Sequence, residues 1–303
     1  WSPRGQYHGA VSAHTYRNEI EPFARILDDL GEPCHLLNRQ QLTQQIGTSY
    51  YHGALYAPGT FLMNPAALVR GLADSLPENV ILRENSAVTH AVYGERIELA
   101  TAKGRVTAKR LVLGTGIYTE AFGFYHRSLI PIALSGSLSR PLTSEEQQAL
   151  GGQTDWGMTP VGMPGVTLRY TQDHRLLIRQ QVEYSPGCRR SDAYRTRIRK
   201  GHERRFRARF PMLPDVTLEH TWTGYVCVSR NQGHGFGQIA PNVFSAICQN
   251  AIGVTKGTIS GMLVADLATG RDNPLIADLK SLGTPQRLPP RPFLDMGVRA
   301  NFA

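Results

Sequence analysis

The apolar positions change their period twice along the chain. "QYHGAVSA" (6–13) reads as a strand, and "YRNEIEPFARILDDLG" (16–31) then puts Ile20, Phe23, Ile26, Leu27 and Leu30 on one helical face, with Gly31 as a C-terminal cap. In "NRQQLTQQIG" (38–47), Asn38 is followed three places later by Gln41, which predicts a capping box, and Gly47 ends a short helix. "MNPAALVRGLADSLPEN" (63–79) repeats this logic with Asn64 as N-cap and Pro65 at the first helical position. From Val80 the period becomes two. "VILRE", "AVTHAVY", "RIELATA" and "RVTAKRLVLG" read as consecutive strands of a meander, with turns at Gly94-Glu95 and Lys103-Gly104.

A second β-rich block, "VTLRYTQDHRLLIRQQVEY" (166–184), turns at Gln172, Asp173 and His174. The last third gives a strand "NVFSAIC" (242–248), a helix "TISGMLVADLATG" (258–270) and a proline-rich tail from Pro285. The mixture predicts an α+β or α/β fold with a large mixed or antiparallel sheet.

Charge alters one segment of this picture. Of the 33 Lys and Arg, ten fall between Arg189 and Phe210, in a chain of net charge +9. Tyr194, Ile198, Phe206 and Phe210 recur there at multiples of four, so the segment is expected to be an amphipathic helix with a solvated cationic face. No aromatic stacking platform or reading motif accompanies the charge, and a nucleic-acid partner is not expected. Composition adds bounds: 41% hydrophobic residues and 19% charged are those of an ordinary globular protein. There is no apolar run of 18 residues, and "WSPRGQYHGA" lacks signal-peptide features, so a cytoplasmic protein without a membrane span is expected. Cys34, Cys188, Cys227 and Cys248 are widely spaced and read as free thiols.

The glycine-rich segments carry the candidate chemistry. "RLVLGTGIYTEAFG" (110–123) ends a strand with Gly114 and Gly116, but Thr119 replaces the third glycine of a dinucleotide fingerprint and no acidic residue follows in "PIALSGSLSR". "GHGFG" (233–237) reads as a flexible loop. In "QNAIGVTKGTISGMLVAD" (249–266), Gly253 permits close backbone approach, amides from Val254 to Gly257 begin a helix, and Lys256 adds charge, which together describe an anion site. Neither H-E-x-x-H nor G-x-S-x-G occurs.

Taken in order, "ELATAKGRVTAKRLVLGTGIYT", "LRYTQDHRLLI", "FPMLPDVTLEHTWTG" and "AIGVTKGTISGMLVADLATG" resemble the FAD-dependent amino-acid oxidase-like oxidoreductases, the family of D-amino acid oxidase, glycine oxidase and sarcosine oxidase. The resemblance implies the remnant of an FAD-binding domain with a β-meander (62–122 and 223–275), a substrate domain with a large sheet (1–61 and 123–222) and a tail (276–303). It implies FAD contacts at Val88, Gly114, Thr115, Gly116, Trp222, Gly224, Gly253, Val254, Thr255 and Lys256. Arg230 is expected to hold a substrate carboxylate, with Tyr170 and His52 on the substrate face. The implied reaction is oxidation of an amine or amino acid by hydride transfer to flavin, giving an imine that hydrolyses.

Two departures stand out. The strand, G-x-G-x-x-G and helix with which relatives begin is not found in the chain, so FAD affinity is expected to be weak without a further N-terminal segment, and exposed strands are expected to promote self-association. Cys248 and Ala251 stand where relatives carry glycine. The residues alone leave open a cofactor-free domain that binds a small amine or an acidic partner.

Overall fold

The computed structural model describes residues 1–162 and 165–302, which fall into two compact units. The first comprises 1–68, 134–182 and 189–224, and the second 69–133, 183–188 and 225–303. Mixed α/β architecture with one large sheet is the outcome that the alternating periods predicted.

The large sheet is built from β1 (Gln6–Ala10), β2 (His35–Asn38), β3 (Gly53–Ala57), β8 (Ile130–Ser139), β9 (Trp156–Pro160), β10 (Thr167–Tyr170), β11 (Leu176–Tyr184) and β12 (Leu218–Val228). Their order is β12-β8-β11-β10-β9-β1-β3-β2. The β1/β9 pair is parallel, while β1/β3, β2/β3, β9/β10 and β10/β11 are antiparallel. The turn expected at 172–174 joins β10 to β11, closed by a Thr171 amide to Arg175 carbonyl bond of 2.9 Å. Tyr51, Trp156, Met158, Leu168, Tyr170 and Phe206 are among the buried side chains of the first unit's core.

Around this sheet the predicted caps form. Asn38 accepts from the Gln41 amide at 2.9 Å while the Gln41 side chain accepts from the Asn38 amide, and Gly47 closes that helix (Arg39–Ile46) at φ +77°. Asn64 likewise caps the helix Pro65–Asp74 through the amides of Ala66 and Ala67. The helix Glu21–Asp29 differs from expectation on one side: Ile20, Phe23, Ala24 and Leu27 pack into the core, but Ile26 and Leu30 are exposed. A 3.6-residue stripe is wide enough to include them by spacing, whereas the sheet covers only its centre.

The basic segment is a helix, Asp192–Arg209, capped by Ser191. Its inner face is partly polar: His202, fully buried, sits with Nδ1 2.8 Å from the Ser137 hydroxyl, which lies 2.9 Å from that of Thr221.

The second unit holds β4 (Val88–Val92), β5 (Ile97–Thr101) and β6 (Gly104–Ala108), an antiparallel meander ordered β4-β5-β6. It also holds β7 (Leu111–Leu113), β13 (Gly235–Ala240) and β14 (Val243–Ile247) in the order β13-β14-β7. Two expectations are corrected here. "VILRE" forms no strand, since Val80, Ile81 and Leu82 are exposed without a ladder. "RVTAKRLVLG" is two strands in two sheets, broken at Lys109-Arg110. "GHGFG" is corrected too: Gly235 to Gly237 are strand residues, and His234 is buried. The helix Gly253–Thr269 packs Leu263, Val264 and Ala268 against Phe236 and Phe244, and the tail from Pro285 contains an unpredicted helix, Phe293–Phe302. Among the described residues no disulfide joins the four cysteines, and no helix is long and apolar enough to cross a membrane.

Candidate functional site

In the second unit β7 runs parallel to β14, with Leu111 opposite Val243 and Leu113 opposite Ser245. Parallel neighbours end on the same sheet edge, so the Gly114-Thr115-Gly116 turn and the turn that leads into the helix Gly253–Thr269 leave from one edge. In open sheets that carboxyl edge is where ligands bind. Gly116 has φ +54°, a conformation that favours glycine, and a Cβ built on Gly114, Gly116 or Gly253 would have no atom within 4 Å. Thr115 ties the turn down through a 2.8 Å hydroxyl contact with Thr119.

Residues 248–252 are shaped by backbone conformation. Cys248, Asn250 and Ala251 have φ of +56°, +51° and +66°. Glycine is at ease at such positive φ, and Cys248 and Ala251 occupy these positions at a cost of roughly 1–2 kcal/mol each. Ala251→Gly is therefore expected to stabilise the protein by about 0.5–1 kcal/mol after the extra freedom of glycine in the unfolded chain is subtracted. A thermal melt that falls or stays level would count against this strain.

Asn250 explains why the turn is held nonetheless. Its buried side chain accepts from the Ser229 amide at 2.8 Å and donates to the carbonyls of Gln232 and Gly233 at 3.0 and 3.2 Å. The turn bearing exposed Arg230 is thus fastened to the turn before the helix. The first amide of the helix with a backbone acceptor is Lys256, which donates to Ile252 at 3.2 Å. The amides of Gly253, Val254 and Thr255 precede it and have no intrahelical acceptor. Lys256 Nζ lies 3.3 Å from Nε2 of buried His234. Burial, with Lys256 adding to it, pushes the His234 pKa down, so the imidazole is neutral and accepts from the ammonium. His234 Nδ1 has no partner among the described residues. Free amides, a helix N-terminus and a held ammonium suit an anionic group.

The other sequence-predicted residues lie elsewhere. Val88 begins β4 opposite Thr101. Trp222 and Gly224 are on β12, the Trp222 ring so near Gly136 that a Cβ there would come within 2.9 Å. His52, in the first unit, lines a groove of about 450 Å³ with Tyr16, Asn38, Arg39 and Gln40, and meets Tyr16 edge-on at 5.7 Å. Tyr170 is a core residue: buried beside Trp156, with its hydroxyl 3.2 Å from His174 Nδ1, it supports the sheet and presents no surface to a ligand in solvent. Sequence reasoning missed Asn250, His234, Tyr16 and Arg39. Asn250 alone carried a signal, since asparagine tolerates positive φ better than most residues.

Residues 1–267 match the family described as FAD dependent oxidoreductase. The chain belongs to this family. This FAD dependent oxidoreductase chain is 26% identical over 284 residues to a probable oxidoreductase OrdL of Rhizobium meliloti (strain 1021), covering 88% of the chain and 61% of the relative. It is 24% identical over 238 residues to gamma-glutamylputrescine oxidoreductase of Escherichia coli (strain K12), covering 78% of the chain and 54% of the relative. The chain thus spans a little over half the length of these curated relatives. Among solved structures it resembles glycine oxidase from Geobacillus kaustophilus, with a TM-score of 0.74 and 18% identity over 95% of the chain and 76% of that structure. It also resembles iminodiacetate oxidase from Chelativorans sp. BNC1, with a TM-score of 0.71 and 17% identity over 90% and 74%.

Proposed function

We propose that the chain is the larger part of an FAD-dependent oxidoreductase acting on an amine or amino acid. The observation that supports this most is the shared carboxyl edge of β7 and β14, from which the open Gly114–Gly116 turn leaves and after which the helix start follows with Lys256 and three amides that have no backbone acceptor among the described residues. A bound flavin would supply the acceptor for the hydride leaving the substrate carbon, and the resulting imine would hydrolyse. Gly253, Val254, Thr255 and Lys256 would hold negative charge on a bound flavin, and Gly114, Thr115, Gly116 and Val88 would add contacts from the same unit. Arg230 pairs with a substrate carboxylate, and His52 lies on the substrate face. We assign cofactor binding to 62–122 and 223–275, substrate binding to 1–61 and 123–222, and the tail to 276–303.

The described residues include no strand–G-x-G-x-x-G–helix turn, and we assign the pyrophosphate and ribose contacts to such a unit supplied by a longer polypeptide or a partner. Exposed apolar residues in the second unit support this. β7 is an edge strand with Val112 46% exposed, and Val69, Leu72 and Ile81 are separately 65%, 58% and 70% exposed. Such residues invite association. The isolated chain should sediment as oligomers at micromolar concentration, and Leu72→Lys with Ile81→Lys should shift it to monomer; a monomeric parent chain would refute the exposed-edge argument.

Flavin titration tests the function. FAD fluorescence should be quenched saturably, at least about tenfold more weakly in Lys256→Gln, and tightly once a nucleotide-binding unit is supplied. Protein that stays colourless in excess FAD with that unit present would overturn the reading. A melting temperature raised by amines in the absence of flavin would instead favour a cofactor-free binder.

A further inference from the structure

The fold places two of the four cysteines together. Cys227, on β12, and Cys248, the residue after β14, are 21 positions apart in sequence. Both are buried, and they share an apolar cluster of the second unit with Leu129 and Ile247. The bond from the Ser229 amide to Asn250 Oδ1 joins the chain two residues beyond each cysteine, which draws the two segments alongside one another. Cys248 Sγ lies 4.0 Å from the Cys227 carbonyl oxygen and 3.9 Å from Asn250 Oδ1, and the two thiols hydrogen-bond to each other. That thiol–thiol bond makes them unequal. With burial adding to it, it pushes the Cys227 pKa far up. Cys248, which accepts from Cys227 and also meets the Ser229 side chain and the Asn250 amide, is held below the usual thiol range despite its burial. Cys248 is thus the sulfur that ionises, and Cys227 the one that keeps its proton. Cys34, by contrast, belongs to the first unit and donates to the Ala24 carbonyl at 3.8 Å.

We propose that Cys227 and Cys248 are a redox modification site, joined into a reversible disulfide by hydrogen peroxide. A buried thiol on its own is inert, but a sulfur that ionises beside a second thiol has both the nucleophile and the resolving partner that disulfide formation needs. The Cys248 thiolate attacks one peroxide oxygen, the O–O bond breaks, and the departing hydroxide takes up a proton as water, leaving a sulfenic acid. The Cys227 sulfur then attacks the Cys248 sulfur. The S–O bond breaks as the S–S bond forms, and hydroxide leaves with the Cys227 proton as a second water. In all, two thiols lose two electrons and two protons, and one peroxide becomes two waters. The chain surfaces at exposed Ala251, three residues after Cys248, so a local opening of this turn admits so small an oxidant. The product staples the end of β12 to the turn before the helix Gly253–Thr269, the same stretches that Asn250 joins by hydrogen bonds. No step needs a flavin, so the proposal stands or falls separately from the oxidoreductase function.

Peptide mapping of the parent chain, treated with hydrogen peroxide while folded and then alkylated in denaturant, tests this without any substitution. Trypsin places the four cysteines on separate peptides, residues 26–39, 180–189, 210–230 and 231–256. Peroxide should link 210–230 to 231–256 with the loss of two hydrogens, and dithiothreitol should restore both thiols. Links that involve Cys34 or Cys188 should be at least about tenfold rarer, because only sulfurs already in contact join without backbone movement. In Cys227→Ser the reaction should stop at a Cys248 sulfenic acid that dimedone captures, whereas Cys248→Ser should leave Cys227 a free thiol. Peroxide that leaves both thiols free in the parent chain would overturn the proposal. So would independent oxidation of the two to sulfinic acids, links to Cys34 or Cys188 formed as readily, or dimedone capture on Cys227 in place of Cys248.

Discussion

Asn250→Ala should lower the unfolding free energy by about 3 kcal/mol and abolish whatever flavin affinity the chain has. The side chain is buried and makes bonds in both directions, accepting from the Ser229 amide and donating to the carbonyls of Gln232 and Gly233. Truncation strands these buried backbone groups, at about 1–3 kcal/mol for an unsatisfied donor or acceptor. It also leaves an alanine at φ +51°, where asparagine is comparatively tolerated. Asn250→Gly separates the two causes, since it loses the same bonds but removes the conformational cost. The glycine variant should recover about 1 kcal/mol of the deficit. Equilibrium denaturation measures both, and an alanine variant within about 0.5 kcal/mol of the parent would mean that the two turns are not held by this side chain.

The second large effect is a dependence on acid. Burial, with the Arg205 charge adding to it, pushes the His202 pKa from 6.5 down to about 4. The folded protein therefore holds this ring neutral between those values while the unfolded chain protonates it. Because the unfolded state binds more protons there, stability is full above pH 6.5 and declines as pH falls toward 4, by roughly 3 kcal/mol from this group. Carboxylates also titrate in the lower part of that window, so the parent is best compared with His202→Gln, which keeps a donor toward the Ser137 hydroxyl. The variant should be less stable than the parent at pH 7 and lose less on acidification, the two curves converging near pH 4.5. Parallel curves would show that His202 does not titrate differently in the folded and unfolded states.

How much of this could be read from the sequence depended on how local the cause was. Caps at Asn38 and Asn64, the turn at 172–174 and the basic helix rest on neighbours within a few residues, and all were legible. "VILRE" has the alternation of a strand, yet pairing needs a partner that spacing does not reveal. The run from Arg105 to Gly114 has one period throughout, while its two halves belong to different sheets because β7 pairs with residues more than a hundred positions away. For the candidate site, Gly114, Gly116, Gly253 and Lys256 were visible as types that suit an anion. Asn250 and His234 were not, since their roles arise only where Ser229 to His234 meet the start of the last long helix. Tyr170 marks the opposite error, a polar-tipped aromatic chosen for chemistry whose body the core required.

The pairing of β7 with β14 also sets a schedule. Leu113 lies opposite Ser245, so a ribosome must add a further 132 residues after Leu113 before its partner exists. At bacterial or eukaryotic elongation speeds of roughly 5–20 residues per second, the β7 edge waits about 7–26 seconds, with Ile97 and Leu113 lacking the cover that Val243 later provides. During that interval the first unit's sheet is being completed by residues up to Gly224. Synthesis rate and chaperone supply should thus govern the soluble yield of this protein more strongly than its final stability does, and slowing translation after Gly224 should cost yield where slowing it before Ile97 should not.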